Sequence, residues 1–116
     1  MPKYGASLDR VFQALADETR REMVVRLVRG PASVSELARP LAMSLPAVMQ
    51  HLQVLEACGL VRSEKAGRVR TCHIEPGVLR AAEDWIVAQR TEWERRLDRL
   101  DDYLAKQPET PGGSTS

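Results

Sequence analysis

The chain has 116 residues, 43% hydrophobic and 28% charged, with a net charge of +1; these are the proportions of one soluble domain, too short for a second core. No apolar run approaches the roughly 20 residues needed to span a bilayer, and Met1–Ser7 lacks the apolar stretch of a secretory signal, so the expectation is a cytoplasmic protein with no membrane partner. Residues 1–74 hold 11 Lys/Arg against 7 Asp/Glu, net +4, and residues 75–116 hold 6 against 9, net −3, so only the first part suits a polyanion.

Leu8, Val11, Phe12 and Leu15 recur at the spacing of one helix face. Asp17 suits the N-cap of a second helix, with Arg20 in its first turn and Met23, Val24, Leu27 and Val28 as its apolar stripe; Gly30-Pro31 stops it. Ser33 with Glu36 three residues on has capping-box spacing, opening a third helix to about Leu41 with Val34, Leu37, Ala38 and Leu41 inward. Ala42-Met43 makes a tight connection. Ser44 caps a fourth helix, about 45–58, with Pro46 in its first turn, where a missing N–H costs nothing. Gly59 is placed to end it in the left-handed conformation. Val61–Lys65 and Arg68–Ile74, around Ala66-Gly67, read as two short strands with Val69 and Thr71 β-branched.

From Val78 to Lys106 nothing breaks a helix; at about 1.5 Å per residue it would be roughly 43 Å long, more than the width of a domain this size. Pro108 to Ser116 is rich in Pro, Gly, Ser and Thr and is expected to be a disordered tail. The predicted fold is mostly α with a small β-hairpin, α1-α2-α3-α4-β-β-α5: a winged helix-turn-helix forming one domain over residues 1–107.

Winding the fourth helix at about 100° per residue puts Val48, Leu52 and Leu55 within roughly 60° of one another and Pro46, Met49, Gln50 and Gln53 opposite. Such a helix can lie in a major groove, its glutamines pairing with adenine and its apolar groups packing on thymine methyls; the bland alternative is a pair of solvated amides. His51, on the flank of the apolar face, suits either packing or a hydrogen bond to a DNA phosphate. The hairpin carries Arg62, Lys65, Arg68 and Arg70 against Glu64, and Lys65 and Arg68 at its turn would reach phosphates or a minor groove.

Three stretches carry a resemblance: Ala14-Leu-Ala-Asp-Glu-Thr-Arg-Arg, Val34-Ser-Glu-Leu-Ala, and Ser44-Leu-Pro-Ala-Val-Met-Gln-His-Leu-Gln-Val-Leu-Glu-Ala-Cys-Gly-Leu-Val. Together they resemble the ArsR (arsenic-repressor-like) family over about residues 8–104. The resemblance implies a bacterial winged-helix repressor, homodimeric on double-stranded operator DNA and released by a signal, a small molecule or a protein. With the faces of the fourth helix and the hairpin cations read above, the expected DNA-binding set is Ser44, Pro46, Met49, Gln50, His51, Gln53, Lys65, Arg68 and Arg70. The family often has small polar residues early in the reading helix, where this chain has Leu45, Pro46 and Met49. Its metal-sensing branches use cysteines on the third helix or Asp/His/Glu sets on the last. Here the third helix has no Cys and the last no His, so no metal or other cofactor is expected.

On the last helix Leu79, Ala82, Ile86, Gln89, Trp93, Leu97, Leu100 and Leu104 are spaced close to a heptad seam, interrupted at Gln89. A helix that overhangs a small domain cannot bury this stripe on its own chain along its full length, and a second copy can; the alternative is a seam folded back on the monomer core. The expected dimer interface is Leu8, Phe12, Ala82, Ile86, Trp93, Leu97 and Leu100, the first helix entering through the family resemblance. Cys58 and Cys72 are expected to be free, buried thiols rather than a redox pair. No phosphate loop, HExxH or nucleophile–base pair supports an enzyme. The rival function is a winged-helix protein-interaction module that dimerises without binding DNA.

Overall fold

A computed structural model of the chain describes residues 5–106, and the side chains from Leu8 on; the expected tail lies outside these residues. The elements are α1 (Gly5–Leu15), α2 (Glu18–Val28), β1 (Ala32–Ser33), α3 (Val34–Ala38), α4 (Leu45–Ala57), β2 (Val61–Ala66), β3 (Val69–Ile74) and α5 (Pro76–Lys106). The expected order is present with one strand added.

The caps explain where the helices begin. Asp17, in extended conformation, accepts the backbone N–H of Arg20 at 2.9 Å. Ser33 and Glu36 form the capping box: Ser33 Oγ accepts from Glu36 N at 3.1 Å, and Glu36 Oε1 accepts from Ser33 N at 2.8 Å, which satisfies two otherwise orphaned donors. Ser44 Oγ accepts from Ala47 N at 3.3 Å to open α4. At the far end of α4 the N–H of Leu60 reaches Leu55 O and that of Gly59 reaches Glu56 O. That double closure needs a left-handed residue, and Gly59 has φ +86°.

Four boundaries and faces differ from expectation. Helix α3 ends at Ala38 rather than Leu41, because Pro40 has no N–H to continue the ladder; Leu41 N instead closes a turn onto Ala38 O. Val28, expected in the buried stripe of α2, is 60% exposed, since it winds about 100° past Leu27 and off the buried arc. Ala32 and Ser33 form a third strand, pairing with Cys72 and Thr71 in an antiparallel sheet of order β1-β3-β2. Helix α5 starts at Pro76 instead of Val78, proline being pre-set for a first helical position.

The hairpin is shifted by one residue: Ala66 pairs with Val69 across a two-residue turn, Gly67-Arg68. Gly67 has φ +64° and no other residue type takes a positive φ among the described residues, the pattern of a turn whose twist matches its strands.

The described residues fall into two compact units, one ending at Glu83 and one beginning at Asp84. In the first, Val11, Met23, Leu37, Leu52, Leu55 and Leu60 anchor a core with no buried charged or polar residue among the described ones. No buried side-chain polar atom there lacks a hydrogen-bond partner, as a dry core requires. In the second unit, Trp85, Ile86, Trp93, Leu97, Leu100 and Leu104 are all exposed. No helix among the described residues is long and apolar enough to cross a membrane.

The two glycine environments give a test. A Cβ at Gly59 would meet only Val78 Cγ2 at an ordinary 3.7 Å, so Gly59→Ala is expected to cost about 1–2 kcal/mol from the backbone alone. Gly77 lies in the first turn of α5 with open space around it, so Gly77→Ala should gain about 0.4–1 kcal/mol. Urea midpoints at unchanged m measure both; effects of the same sign would refute the assignment.

Candidate nucleic-acid interface

Helix α4 separates its faces sharply. Val48, Leu52 and Leu55 are buried, while Ser44, Leu45, Pro46, Gln50 and Gln53 are exposed. Met49 departs from the face expected for it: it is half-buried and packs on the core edge. The reason lies in tertiary packing, since Met49 rests against the core cluster and, with Leu45, Val34, Lys65, Arg68 and Val69, lines a groove of about 340 Å³ between α4, the start of α3 and the hairpin. Winding a single helix cannot reveal which of its flanks the rest of the unit approaches.

The basic residues of the hairpin fall into two kinds. Lys65 and Arg68 are exposed and make no ion pair or hydrogen bond through their side chains among the described residues. Arg70 is committed: its Nη1 donates to Ser63 Oγ at 3.0 Å, and Ser63 Oγ donates to Glu56 Oε1 at 3.2 Å. This chain ties β3 and β2 to α4, so Arg70 holds the wing in place. On the other face of the hairpin Arg62 meets Glu75 at 2.7 Å and Glu64 at 3.2 Å, and His73 Nε2 meets Glu64 at 3.1 Å. The Glu75 carboxylate, first, and then Glu64 raise the pKa of the Arg62 guanidinium.

Arg20 is the residue that sequence reasoning underrated. Its Nε donates to Ala14 O at 2.6 Å and its Nη2 to Gln13 O at 3.4 Å, closing the C-terminal carbonyls of α1. Its Nη1 lies 3.2 Å from His51 Nδ1 on α4. Arg21 Nη1 adds a bond to Leu15 O at 2.8 Å. The Glu-Thr-Arg-Arg run of α2 is thus a clamp on the preceding helix end. Two arginines one turn after a helix stop were the available signal. His51 also faces Asp17 Oδ2 at 3.8 Å, so it is held in a polar junction instead of standing alone on the surface.

Among the described residues no three of His, Cys, Asp and Glu gather as a metal site would require. Cys58 and Cys72 are buried and free. Cys58 Sγ donates to Leu55 O at 3.2 Å. Burial, reinforced by the Glu56 carboxylate, pushes the Cys72 thiol up against a smaller opposing effect of Arg70, which disfavours the reactive thiolate. Of the residues assigned to a dimer interface, Ala82 is corrected: it is 4% exposed within the core of its own chain, leaving no surface for a partner. Leu8 and Phe12 are half-buried on the edge of that core, and Ile86, Trp93, Leu97 and Leu100 are exposed.

Residues 17–63 match the bacterial regulatory protein, arsR family. Over 75 residues, 65% of this chain and 70% of the other, the sequence is 52% identical to the HTH-type transcriptional regulator Rv2034 of Mycobacterium tuberculosis. The chain belongs to the ArsR family. The crystal structure of an ArsR-family transcriptional regulator, RHA00566, is similar with a TM-score of 0.71 at 52% identity, covering 76% of this chain and 97% of that one. A homodimeric winged helix-turn-helix DNA-binding domain, Mb0332 from Mycobacterium bovis, is similar with a TM-score of 0.62 at 25% identity, covering 82% and 93%. This ArsR-family chain is therefore a transcriptional regulator with a winged helix-turn-helix DNA-binding domain, and not an enzyme.

The junction at the start of α2 makes the regulator's acid response testable. The Arg20 backbone N–H, assisted by the charge of the Arg20 guanidinium, holds the Asp17 carboxyl below the ordinary carboxylate range. A depressed folded value means the contribution is present above the unfolded pKa, about 3.9, and is lost as pH falls through the folded value. Asparagine caps as well as aspartate without titrating. The stability difference between Asp17→Asn and wild type should be flat from pH 7 to 5 and move in asparagine's favour below about pH 4. Urea midpoints whose difference stays constant down to pH 3 would exclude this role.

Proposed function

We propose that this ArsR-family regulator binds a near-palindromic operator as a homodimer and represses transcription in the bacterial cytoplasm, with α4 of each protomer in a major groove. Residues 1–107 act as its DNA-binding and dimerisation domain. The observation that carries the reading is the pairing of exposed amides at Gln50 and Gln53 with uncommitted cations at Lys65 and Arg68. A glutamine amide matches the donor and acceptor on the adenine edge, and exposed Leu45 and Pro46 suit thymine methyls. Ser44 and His51 add phosphate contacts, which set register without reading bases. Met49 lines the groove between helix and wing. The repressor role rests on the family resemblance, as does release by a small-molecule or protein signal.

Homodimerisation is supported by the exposed seam Ile86, Trp93, Leu97 and Leu100 and by the similar Mb0332 domain, which is homodimeric, with Leu8 and Phe12 adding to the contact. Two-fold symmetry would set paired reading helices about 34–36 Å apart, one helical turn of DNA.

Readers and positioners should differ in kind. Gln50→Ala or Gln53→Ala is expected to cost about 1–3 kcal/mol on the preferred site and to relax choice at one base position per half-site. Arg68→Ala should weaken all sequences alike and lower the salt slope by about one per phosphate contact, hence about two per dimer. Base preference altered by Arg68→Ala and untouched by both glutamine variants would make the wing the reader. For the dimer, Trp93→Asp puts a charge in the seam and should convert a micromolar dimer to monomer in sedimentation. Wild-type protein that already sediments as a monomer would refute the interface.

A further inference from the structure

We propose that Arg20 is a positioning residue of the DNA interface, fixing His51 as the neutral imidazole whose proton sits on Nε2 and is offered to a DNA phosphate. The inference rests on the reading of α4 as the DNA-contacting helix.

A guanidinium has donors only. With Arg20 Nη1 at 3.2 Å from His51 Nδ1, the bond forms only if Nδ1 is the acceptor. The competing partner, Asp17 Oδ2, is 3.8 Å away, beyond hydrogen-bond reach, and accepts instead from the Arg20 backbone N–H at 2.9 Å. Nδ1 therefore carries a lone pair and Nε2 carries the proton, the tautomer being set by the bond that the other nitrogen makes. Nε2 has no partner among the described residues, and the side chain is 22% exposed. An uncommitted N–H on the flank of the reading helix is a phosphate donor. The Arg20 side chain cannot swing away freely, since Ala14 O and Gln13 O hold its other two nitrogens. The ring is thereby oriented from α1 and α2 and not by α4 alone.

Long-range proton–nitrogen correlation of the imidazole in the wild-type full chain reads the tautomer directly. Protonated Nε2 with unprotonated Nδ1 is expected; the reverse tautomer would overturn the proposal without any variant. On operator DNA, His51→Leu should weaken binding roughly tenfold with the salt slope retained, because a neutral donor displaces no counterion. Arg20→Met should weaken it similarly in the wild-type background and add nothing in the His51→Leu background. Additive losses would mean that Arg20 acts by another route, which defeats the positioning role and spares the interface. A His51→Leu variant that binds as tightly as wild type would instead remove His51 from the interface and the proposal with it. A salt slope lower by about two would show a charged ring and equally defeat it.

Discussion

Three helices, α1, α2 and α4, meet at one guanidinium. Arg20 reaches the last carbonyls of α1, sits in the first turn of α2 and meets α4 through His51. Removing it would take the donor from Ala14 O in a half-buried place, the costly side of hydrogen-bond energetics, while Gln13 O would keep the Ala16 N–H. Asp17 completes the junction by accepting the Arg20 N–H, so one residue is held by both its main chain and its side chain. The apolar core supplies cohesion here, and this polar junction supplies angle.

That division of labour recurs at the wing. Cys72 and Val61 bury the sheet against the rest of the first unit, while Arg70, Ser63 and Glu56 join the hairpin to α4 by directed bonds. Apolar burial is non-directional, and it is the directed bonds that fix the angle between helix and hairpin. With Arg70 engaged in this tie, Lys65 and Arg68 are the hairpin cations whose side chains make no ion pair or hydrogen bond among the described residues.

Local chemistry was the legible part of the sequence. Asp17, the Ser33–Glu36 box, Ser44 and Gly59 were found from residue type and spacing because a cap is a contract between neighbours in the chain. The inward stripe of α4 followed from periodicity. What depended on distant partners was missed. The two-residue β1 has no pattern of its own and exists through Cys72 and Thr71. Met49 faces outward on a lone helix and is half-buried only because it packs on the core edge, and Ala82 falls in the seam by spacing but is buried in the first unit. The early end of α3 has a local cause that the sequence does contain, because Pro40 brings no N–H to continue the ladder.

Ser33 belongs to two elements at once. Its backbone faces Thr71 in the sheet, and its side chain and N–H close the capping box of α3. The first helix of the helix-turn-helix is therefore fastened to the wing with no linker between them. A flexible wing would have to be ordered on each encounter with DNA, at the expense of binding free energy; one fastened in this way arrives already set. It also means that α3 and the base of the hairpin share one residue, so a displacement of either is carried directly to the other.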